Sequence, residues 1–246
     1  MGDTAQDQNS GPVAPGALET SPRWRIRSFA AHRGRITVAQ RRAYEELRPR
    51  LAVPYQAQLI DPVAIFGRGA PLVLEIGFGM GETTAAIAQR HPQIDFVAVD
   101  VFPGGVGALA RRLYEAQLRN VRIIEHDAVE VVEKMIGPAS LHAVHVFFPD
   151  PWPKVRHHKR RLIAQPFVGT LAERLRSGGV LHCATDWENY AQQMLEVLSQ
   201  EPRLRNLHCG YAAQARSPWC ERPTTKFQAR GARLGHGVWD LVFERR

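Results

Sequence analysis

The sequence has 246 residues, 44% of them hydrophobic, which fits one α/β domain of ordinary size with a flexible end. A formal net charge of +8 and a pI of about 9.9 favour a polyanionic partner, with a nucleic acid as the first candidate. The three cysteines are odd in number and lack Cys-x-x-Cys spacing, so we expect no disulfide framework, no zinc site and a reducing cytoplasm.

The N-terminal part divides into two segments. Residues 1–22 are rich in Gly, Pro, Ala, Gln and Ser, carry three acids and no base, and are predicted to be a disordered tail. Residues 23–70 begin with nine arginines within 23–50 and are predicted to form a basic arm that becomes helical near Thr37. The first residues lack a signal-peptide pattern, and no apolar run approaches the roughly 18 residues of a membrane helix. We therefore expect no membrane partner.

Residues 71–246 show short apolar runs that alternate with stretches of helical spacing, which is typical of βαβ units. The predicted helices lie near 82–91, 105–118, 128–136, 160–176 and 187–200. The predicted strands are Leu72–Ile76, Ile94–Val99, Val121–Ile124, Leu141–Phe148, Val180–Ala184, Leu204–His208 and Val238–Phe243. Together they predict an α/β fold with a Rossmann-like, seven-stranded, mostly parallel sheet and helices on both faces.

A glycine-rich turn, Gly77-x-Gly79-x-Gly81, joins the first strand to the first helix, where α/β sheets bind their ligands. In the dinucleotide fingerprint the third glycine lies three residues after the second, and a pyrophosphate rests on the following helix. Here the third glycine comes one residue too early, and Glu75 would repel a pyrophosphate. S-adenosylmethionine carries a sulfonium and an ammonium and no phosphate, so these residues favour it over NAD.

Two further acids follow the next two strands. Asp100 ends the second strand, where a carboxylate can accept bonds from ribose hydroxyls, although NAD sites also use an acid here. Asp127 and Ala128 follow the third strand, where they could receive the adenine amino group. Alternatively, Asp127 only caps the next helix. Glu75, Asp100 and Asp127 thus lie in order at the ends of three successive strands, and together they predict a methyltransferase.

The fourth strand leads into Pro149-Asp150-Pro151-Trp152-Pro153, whose prolines predict a stiff loop. In the functional interpretation a base stacks against Trp152 while Asp150 accepts hydrogen bonds from its edge. Guanine offers two adjacent donors to a carboxylate and leaves N7 as a nucleophile with a free lone pair. In the alternative interpretation the segment is a rigid turn with an N-capping aspartate.

A basic run, Lys154-Val155-Arg156-His157-His158-Lys159-Arg160-Arg161, follows directly and contains no acid. Such runs are usually solvated surfaces. Its rigid link to Asp150 instead favours a clamp for RNA phosphates.

These motifs, in order and spacing, resemble those of the bacterial tRNA (guanine-N7-)-methyltransferases, which are class I S-adenosylmethionine-dependent enzymes. The resemblance covers about residues 23–246. It rests on Arg25–Phe29, Leu74–Gly79, His126–Ala128, Phe147–Trp152, Lys159–Arg161, Ala184–Trp187, Arg222–Phe227 and Arg233–Leu241.

The resemblance implies methylation of guanine N7 in the tRNA variable loop, with S-adenosylmethionine as donor, tRNA as partner and no metal. The implied cofactor contacts, together with those of the turn, are Glu75, Gly77, Gly79, Gly81, Asp100, Asp127, Ala128 and Asp150, which is also the implied catalytic residue. The implied substrate contacts are Lys154, Arg156, His157, His158, Lys159, Arg160, Arg161, Asp186, Thr225, Lys226, Phe227 and Gln228.

Two residues depart from the family pattern. Asp100 stands where the family often has Glu, and Gln228 stands where an acid usually follows Thr-Lys-Phe, which puts a charged role there in doubt. Asp186 could also cap the helix after the fifth strand, and Trp239 suits a sheet core. An NAD-dependent oxidoreductase and a non-catalytic RNA-binding protein are the alternative functions. Monomer and homodimer both stay open.

Overall fold

The computed structural model describes residues 27–29, 36–214, 216–217, 219–223 and 237–246. The predicted tail at 1–22 and much of the arginine-rich arm lie outside the described residues. So do four of the predicted substrate contacts, which are Thr225, Lys226, Phe227 and Gln228.

The helices and strands alternate through most of the chain, as the apolar pattern predicts. The α-helices are α1 Val38–Glu46, α2 Arg48–Leu51, α3 Pro62–Phe66, α4 Glu82–Arg90, α5 Pro103–Glu115, α6 Ala128–Lys134, α7 Phe167–Arg174 and α8 Glu188–Gln200. The strands are β1 Leu72–Ile76, β2 Asp95–Asp100, β3 Val121–Glu125, β4 Leu141–Phe147, β5 Leu175–Thr185, β6 Leu204–Asn206, β7 Arg216–Ser217, β8 Cys220–Glu221 and β9 Trp239–Arg245.

Seven strands form one sheet in the order β3-β2-β1-β4-β5-β9-β6. The first five are parallel, and β9 runs antiparallel to both of its neighbours. From β1 the chain first adds β2 and β3 on one side and then returns to add β4 and β5 on the other side. In such sheets a crevice opens at this point outside the carboxyl ends of the strands. The fold prediction is confirmed, and the topology places the glycine turn beside this crevice.

The core consists of two apolar layers, one on each face of the sheet. Because side chains alternate along a strand, Leu72, Leu74 and Ile76 enter one layer while Val73 enters the other. Helix α5 contributes Val106, Leu109, Ala110 and Leu113 to the second layer, at the spacing of one helical face. The predicted helices on both faces are therefore present.

The basic N-terminal part contributes α1, which packs on α5. Thr37 and Gln40 form a capping box at its start, so the helix begins where the sequence predicts it. The two helices approach so closely that a Cβ on Gly107 would lie 2.2 Å from the carbonyl oxygen of Gln40. Tyr44 adds a 2.8 Å hydrogen bond from its hydroxyl to Glu125 at the end of β3.

A helix is present within the predicted range 160–176, but the predicted bounds are wrong. A 3-10 helix covers Val155–Arg160, the α-helix covers only Phe167–Arg174, and β5 already begins at Leu175. Pro166 has no backbone N–H and is tolerated at the start of a helix but not inside one, so α7 begins after it. The short α2, α3 and the β7–β8 pair were not predicted.

Candidate active site

A cavity of about 200 Å³ opens at the carboxyl ends of β1, β2 and β4. Five of the residues predicted to bind cofactor line it together, namely Gly77, Gly79, Asp100, Ala128 and Asp150. They come from four different loops of the sequence. The cavity therefore unites the predicted donor site with the predicted catalytic loop.

The glycine turn adopts a backbone that other residues rarely take. Gly77, Gly79 and Gly81 have φ angles of 76°, 55° and 71°, in the left-handed region. Gly81 also caps α4, and a Cβ there would lie 2.7 Å from the side chain of Leu109. Gly81 does not line the cavity, so its contribution is to shape the turn.

Asp100 holds this turn in place. Its Oδ2 accepts a 2.8 Å hydrogen bond from the amide of Gly79, and its Oδ1 accepts bonds from the amides of Val101 and Phe102 at 2.7 and 3.0 Å. The carboxylate thus joins the loop after β1 to the loop after β2. It reaches these amides although its side chain is one methylene shorter than the Glu often found in the resembling family.

Glu75 belongs to β1, two residues before Gly77, and is buried, with 2% of its surface exposed, so it does not line the cavity itself. Its Oε2 and the Oγ1 of Thr84 have no hydrogen-bond partner of normal geometry. Burial raises the pKa of Glu75 to about 7, with a further increase from Asp100 and a decrease from the nearby Thr84 hydroxyl. A buried carboxylate oxygen without a partner is costly, and a cationic ligand group would satisfy it.

Asp127 caps α6, as the alternative interpretation predicts: its Oδ1 accepts a 3.0 Å bond from the amide of Val129. Its neighbours His126 and Ala128 line the cavity, while Asp127 itself does not. The His126 ring stacks on Tyr55 with ring centroids 3.6 Å apart. Backbone and His126, more than the Asp127 carboxylate, form this side of the cavity.

The loop after β4 carries backbone strain. Phe148 and Trp152 have φ angles of 54° and 46°, which are unusual for bulky side chains. Such conformations cost of the order of 1–3 kcal/mol each and persist only where their surroundings hold them. Phe148 and Asp150 both line the cavity, so the strained loop presents the catalytic candidate to it.

Trp152 does not line this cavity, and the base stacked on its ring stays a prediction. The guanidinium of Arg160 lies 4.7 Å from the ring centre, and His157 meets the ring edge-on. The indole Nε1 donates a 3.0 Å hydrogen bond to the carbonyl of Ser28. Trp152 therefore links the basic run to the N-terminal arm, and Phe148 is the ring beside Asp150.

The basic run forms the 3-10 helix that follows this loop. Lys154, Arg156 and Lys159 are exposed, and Arg160 is half-buried against Trp152. Partial desolvation, followed by the charges of Arg156, Arg160, Lys154 and Lys159, lowers the pKa of His157. The three exposed side chains are accessible to anions, while the lowered pKa favours the neutral form of His157.

Arg161 is buried, with 4% of its surface exposed, which corrects its prediction as an RNA contact. Its guanidinium donates to the carbonyl of Pro151 at 2.9 Å and to Asn189 and Gln193 of α8. A second predicted contact, His158, is bonded to the same guanidinium at 3.1 Å. Arg161 fastens the run to the domain because α8 supplies two amide oxygens for its guanidinium, and His158 stays a predicted RNA contact.

Asp186 follows β5 and is half-buried outside the cavity wall. The alternative helix-cap role is not observed, because α8 has no side-chain cap and the Trp187 amide bonds to Thr185 instead. Trp239 is half-buried on β9 opposite Thr185.

Two features of the site were missed by sequence reasoning. Ser28 and Phe29 line the cavity, and their only signal was the resemblance at Arg25–Phe29. Asp240 is buried and accepts bonds from His182 and Arg222. Arg222 and Asp240 lie in motifs that carry the resemblance, but no spacing in the sequence pairs them with each other or with His182. Burial alone would raise the pKa of Asp240, but these bonds outweigh it and hold the pKa below its usual range.

Residues 69–241 match the family model described as "Putative methyltransferase". The tRNA (guanine-N(7)-)-methyltransferase of Burkholderia cenocepacia is 58% identical over 236 residues, covering 95% of this chain and 91% of that protein. The enzymes of the same name from Paraburkholderia xenovorans and Bordetella pertussis are 56% and 57% identical and cover 98% and 95% of this chain, and 91% and 88% of their own lengths.

The chain belongs to the tRNA (guanine-N7-)-methyltransferase family. Membership in this family excludes the alternative of an NAD-dependent oxidoreductase. Among solved structures, the 16S rRNA methyltransferase KamB superposes with a TM-score of 0.55 at 14% identity, over 80% of this chain and 99% of that one. This likeness supports the class I methyltransferase fold.

The methyl donor of this methyltransferase family member is S-adenosylmethionine, and the site fits it. The cavity wall combines Gly77, Gly79 and Asp100 with the apolar Val99 and Leu162. Glu75, whose Oε2 has no partner of normal geometry, precedes the same turn in the chain. The described ranges hold no group of three or more His, Cys, Asp or Glu placed to bind a metal ion. Within the same ranges, no helix has the length and apolar character needed to cross a membrane.

Proposed function

We propose that this protein transfers the methyl group of S-adenosylmethionine to N7 of a guanine in the variable loop of tRNA, in the cytoplasm. The observation that carries the proposal is the cavity that places Asp150 beside Gly77, Gly79 and Asp100. Relatives at 56–58% identity carry the matching enzyme name.

Asp150 is the proposed catalytic residue because it lies in the cavity wall and can orient the base. Its carboxylate would accept hydrogen bonds from N1–H and the amino group of guanine, so that N7 faces the donor. The cofactor supplies an electrophilic methyl group on a sulfonium. Since N7 carries no proton before attack, no general base is required, and positioning provides most of the rate.

The remaining roles follow from placement. Gly77, Gly79, Asp100 and Ala128 form the donor side of the cavity, Glu75 meets a cationic donor group from below, and Gly81 shapes the turn. Asp127 contributes through α6, which it caps. The proposed RNA contacts are Lys154, Arg156, His157, His158, Lys159 and Arg160, and the proposed substrate contacts further along the chain are Asp186, Thr225, Lys226, Phe227 and Gln228.

We also propose the domain division. Residues 71–246 form the methyltransferase domain, which agrees with the family match at 69–241. Residues 23–70 form a basic N-terminal extension whose helix α1 packs on α5, and residues 1–22 form a tail.

The test is methylation of unmodified tRNA with radiolabelled donor, followed by borohydride and aniline cleavage to locate N7-methylguanine. Cleavage at one variable-loop guanine is expected, and no label in any tRNA would overturn the proposal. Asp150→Asn should remove most turnover while retaining tRNA binding. Asp61→Asn, which alters the cap of α3 away from the cavity, is the matched control and should keep its activity.

A further inference from the structure

A buried charged network lies between β5, β9 and the segment after β8. Arg222, Asp240 and His182 have 3%, 5% and 0% of their surface exposed. Arg222 binds Asp240 through two bonds, Nε to Oδ1 at 3.1 Å and Nη2 to Oδ2 at 2.7 Å, and His182 Nε2 lies 2.8 Å from Oδ1. Burying such a group is costly, and nothing in the proposed methyl transfer uses it directly.

The guanidinium of Arg222 also lies against two aromatic rings at the end of β4. Its Cζ is 5.1 Å from the ring centre of Phe148 and 5.7 Å from that of Phe147. The Phe147 ring in turn meets His182 edge-on at 5.1 Å. The network therefore supports both phenylalanines from below the strand end.

Phe148 connects this support to the active site. It lines the cavity, has a φ of 54°, and stands two residues before Asp150, with a proline between them. Its amide donates a 2.8 Å bond to the carbonyl of Ala184, which fixes one end of the loop. Because Pro149 restricts the chain between them, we expect a shift of Phe148 to be passed on to Asp150.

We propose that Arg222 is a positioning residue for methyl transfer: clamped by Asp240 and His182, it stacks on Phe148 and holds the strained loop that presents Asp150. The inference rests on the proposed function.

An arginine suits this position for a geometric reason. A planar guanidinium forms two parallel bonds with a carboxylate and still offers its flat face to an aromatic ring. A lysine can neutralise Asp240 but cannot do both. Arg222→Lys therefore separates the positioning role from charge compensation, and it leaves no uncompensated charge beside Asp240.

The experiment compares the full-length parent with Arg222→Lys in three measurements: thermal stability with and without S-adenosylhomocysteine, tRNA affinity, and the single-turnover rate of methyl transfer. We expect the affinities for S-adenosylhomocysteine and tRNA to stay within about threefold of the parent. The transfer rate should fall on the order of 10-fold to 100-fold, because small displacements of reacting groups slow a reaction by such factors. Adding guanidinium to Arg222→Ala at a non-denaturing concentration should restore part of the rate.

Arg68→Gln is the control, because Arg68 pairs with the buried Asp95 at the start of β2, on the other side of β1 from the network, although Arg68 itself is partly exposed. It should lower stability and leave the transfer rate of the folded enzyme unchanged. A parental rate in Arg222→Lys, or a rate that falls only with ligand affinity or folded fraction, overturns the inference. Absence of tRNA methylation by the parent overturns the proposed function instead, so the two failures are distinguishable.

Discussion

The amide of Gly79 and the Oδ2 of Asp100 lie 2.8 Å apart, and this hydrogen bond ties the first loop of the sheet to the second. Through it the carboxylate shapes the donor site before any ligand binds.

Asp100→Asn should weaken S-adenosylhomocysteine binding because the charge-assisted bond to Gly79 and the ribose acceptor are both impaired. Such bonds contribute about 1.5–3 kcal/mol each, so a loss of about 10-fold or more is expected in calorimetry. Asp61→Asn neutralises a comparable carboxylate that accepts a backbone bond at α3, and it should leave affinity unchanged. Parental affinity in Asp100→Asn would mean that the turn holds its shape without this tie.

Gly105→Ala should also impair donor binding, since its Cβ would lie 2.2 Å from the carbonyl oxygen of Gly79. Helix α5 or the glycine turn must then move, and overpacking of this kind costs about 1–3 kcal/mol. Gly107→Ala meets Gln40 at the same distance and should lower the melting temperature while retaining donor affinity. Equal loss of affinity in both variants would show a general destabilisation and not a specific effect on the turn.

The buried Glu75 predicts a pH dependence of both stability and ligand binding. Its pKa is raised from 4.5 to about 7 by burial, so the folded protein binds the proton more tightly than the unfolded chain. The free energy of unfolding should therefore fall as pH rises from about 4.5 to 7, by up to about 3 kcal/mol. Glu75→Gln should remove this slope in denaturant titrations at successive pH values.

Binding of the donor product should show the opposite trend. If ionised Glu75 meets the ammonium of S-adenosylhomocysteine, binding releases a proton below pH 7, and affinity should increase roughly tenfold from pH 6 to 8. Calorimetry in buffers of different ionisation enthalpy measures the released proton directly. A flat profile in the parent would place the cationic group elsewhere.

Exposed and buried cations of the basic run should respond differently to substitution. Arg156→Gln and Lys159→Gln remove exposed charges, and each lost phosphate contact should reduce the salt slope of tRNA binding by roughly 0.7–0.9. Arg161→Gln breaks buried bonds to Pro151 and α8 and should lower the melting temperature first. A reduced salt slope in folded Arg161→Gln would contradict this distinction between exposed and buried cations. So would an unchanged slope in Arg156→Gln and Lys159→Gln.

Local patterns accounted for most of the sheet. Strands β1 to β4 appear within a few residues of the predicted bounds, because apolar runs and helical spacing are readable in short windows. The predicted helix at 160–176 is too long at both ends, because the apolar spacing does not show that α7 begins only after Pro166 or that β5 already begins at Leu175. There the tertiary pairing with β4 outweighed local helix spacing.

The sequence by itself determined the class of the fold, the glycine turn and the position of Asp150 at a strand end. Each depends on backbone restrictions and periodicity that neighbouring residues encode. Only the tertiary structure decided which charged side chains face solvent: Arg161 and Arg156 belong to one basic run, yet α8 buries the first and leaves the second exposed. It also joined Asp240 to His182, 58 residues away, and Trp152 to Ser28, 124 residues away. Such pairs form because packing brings distant segments together and buried polar groups must find partners, which no local pattern specifies.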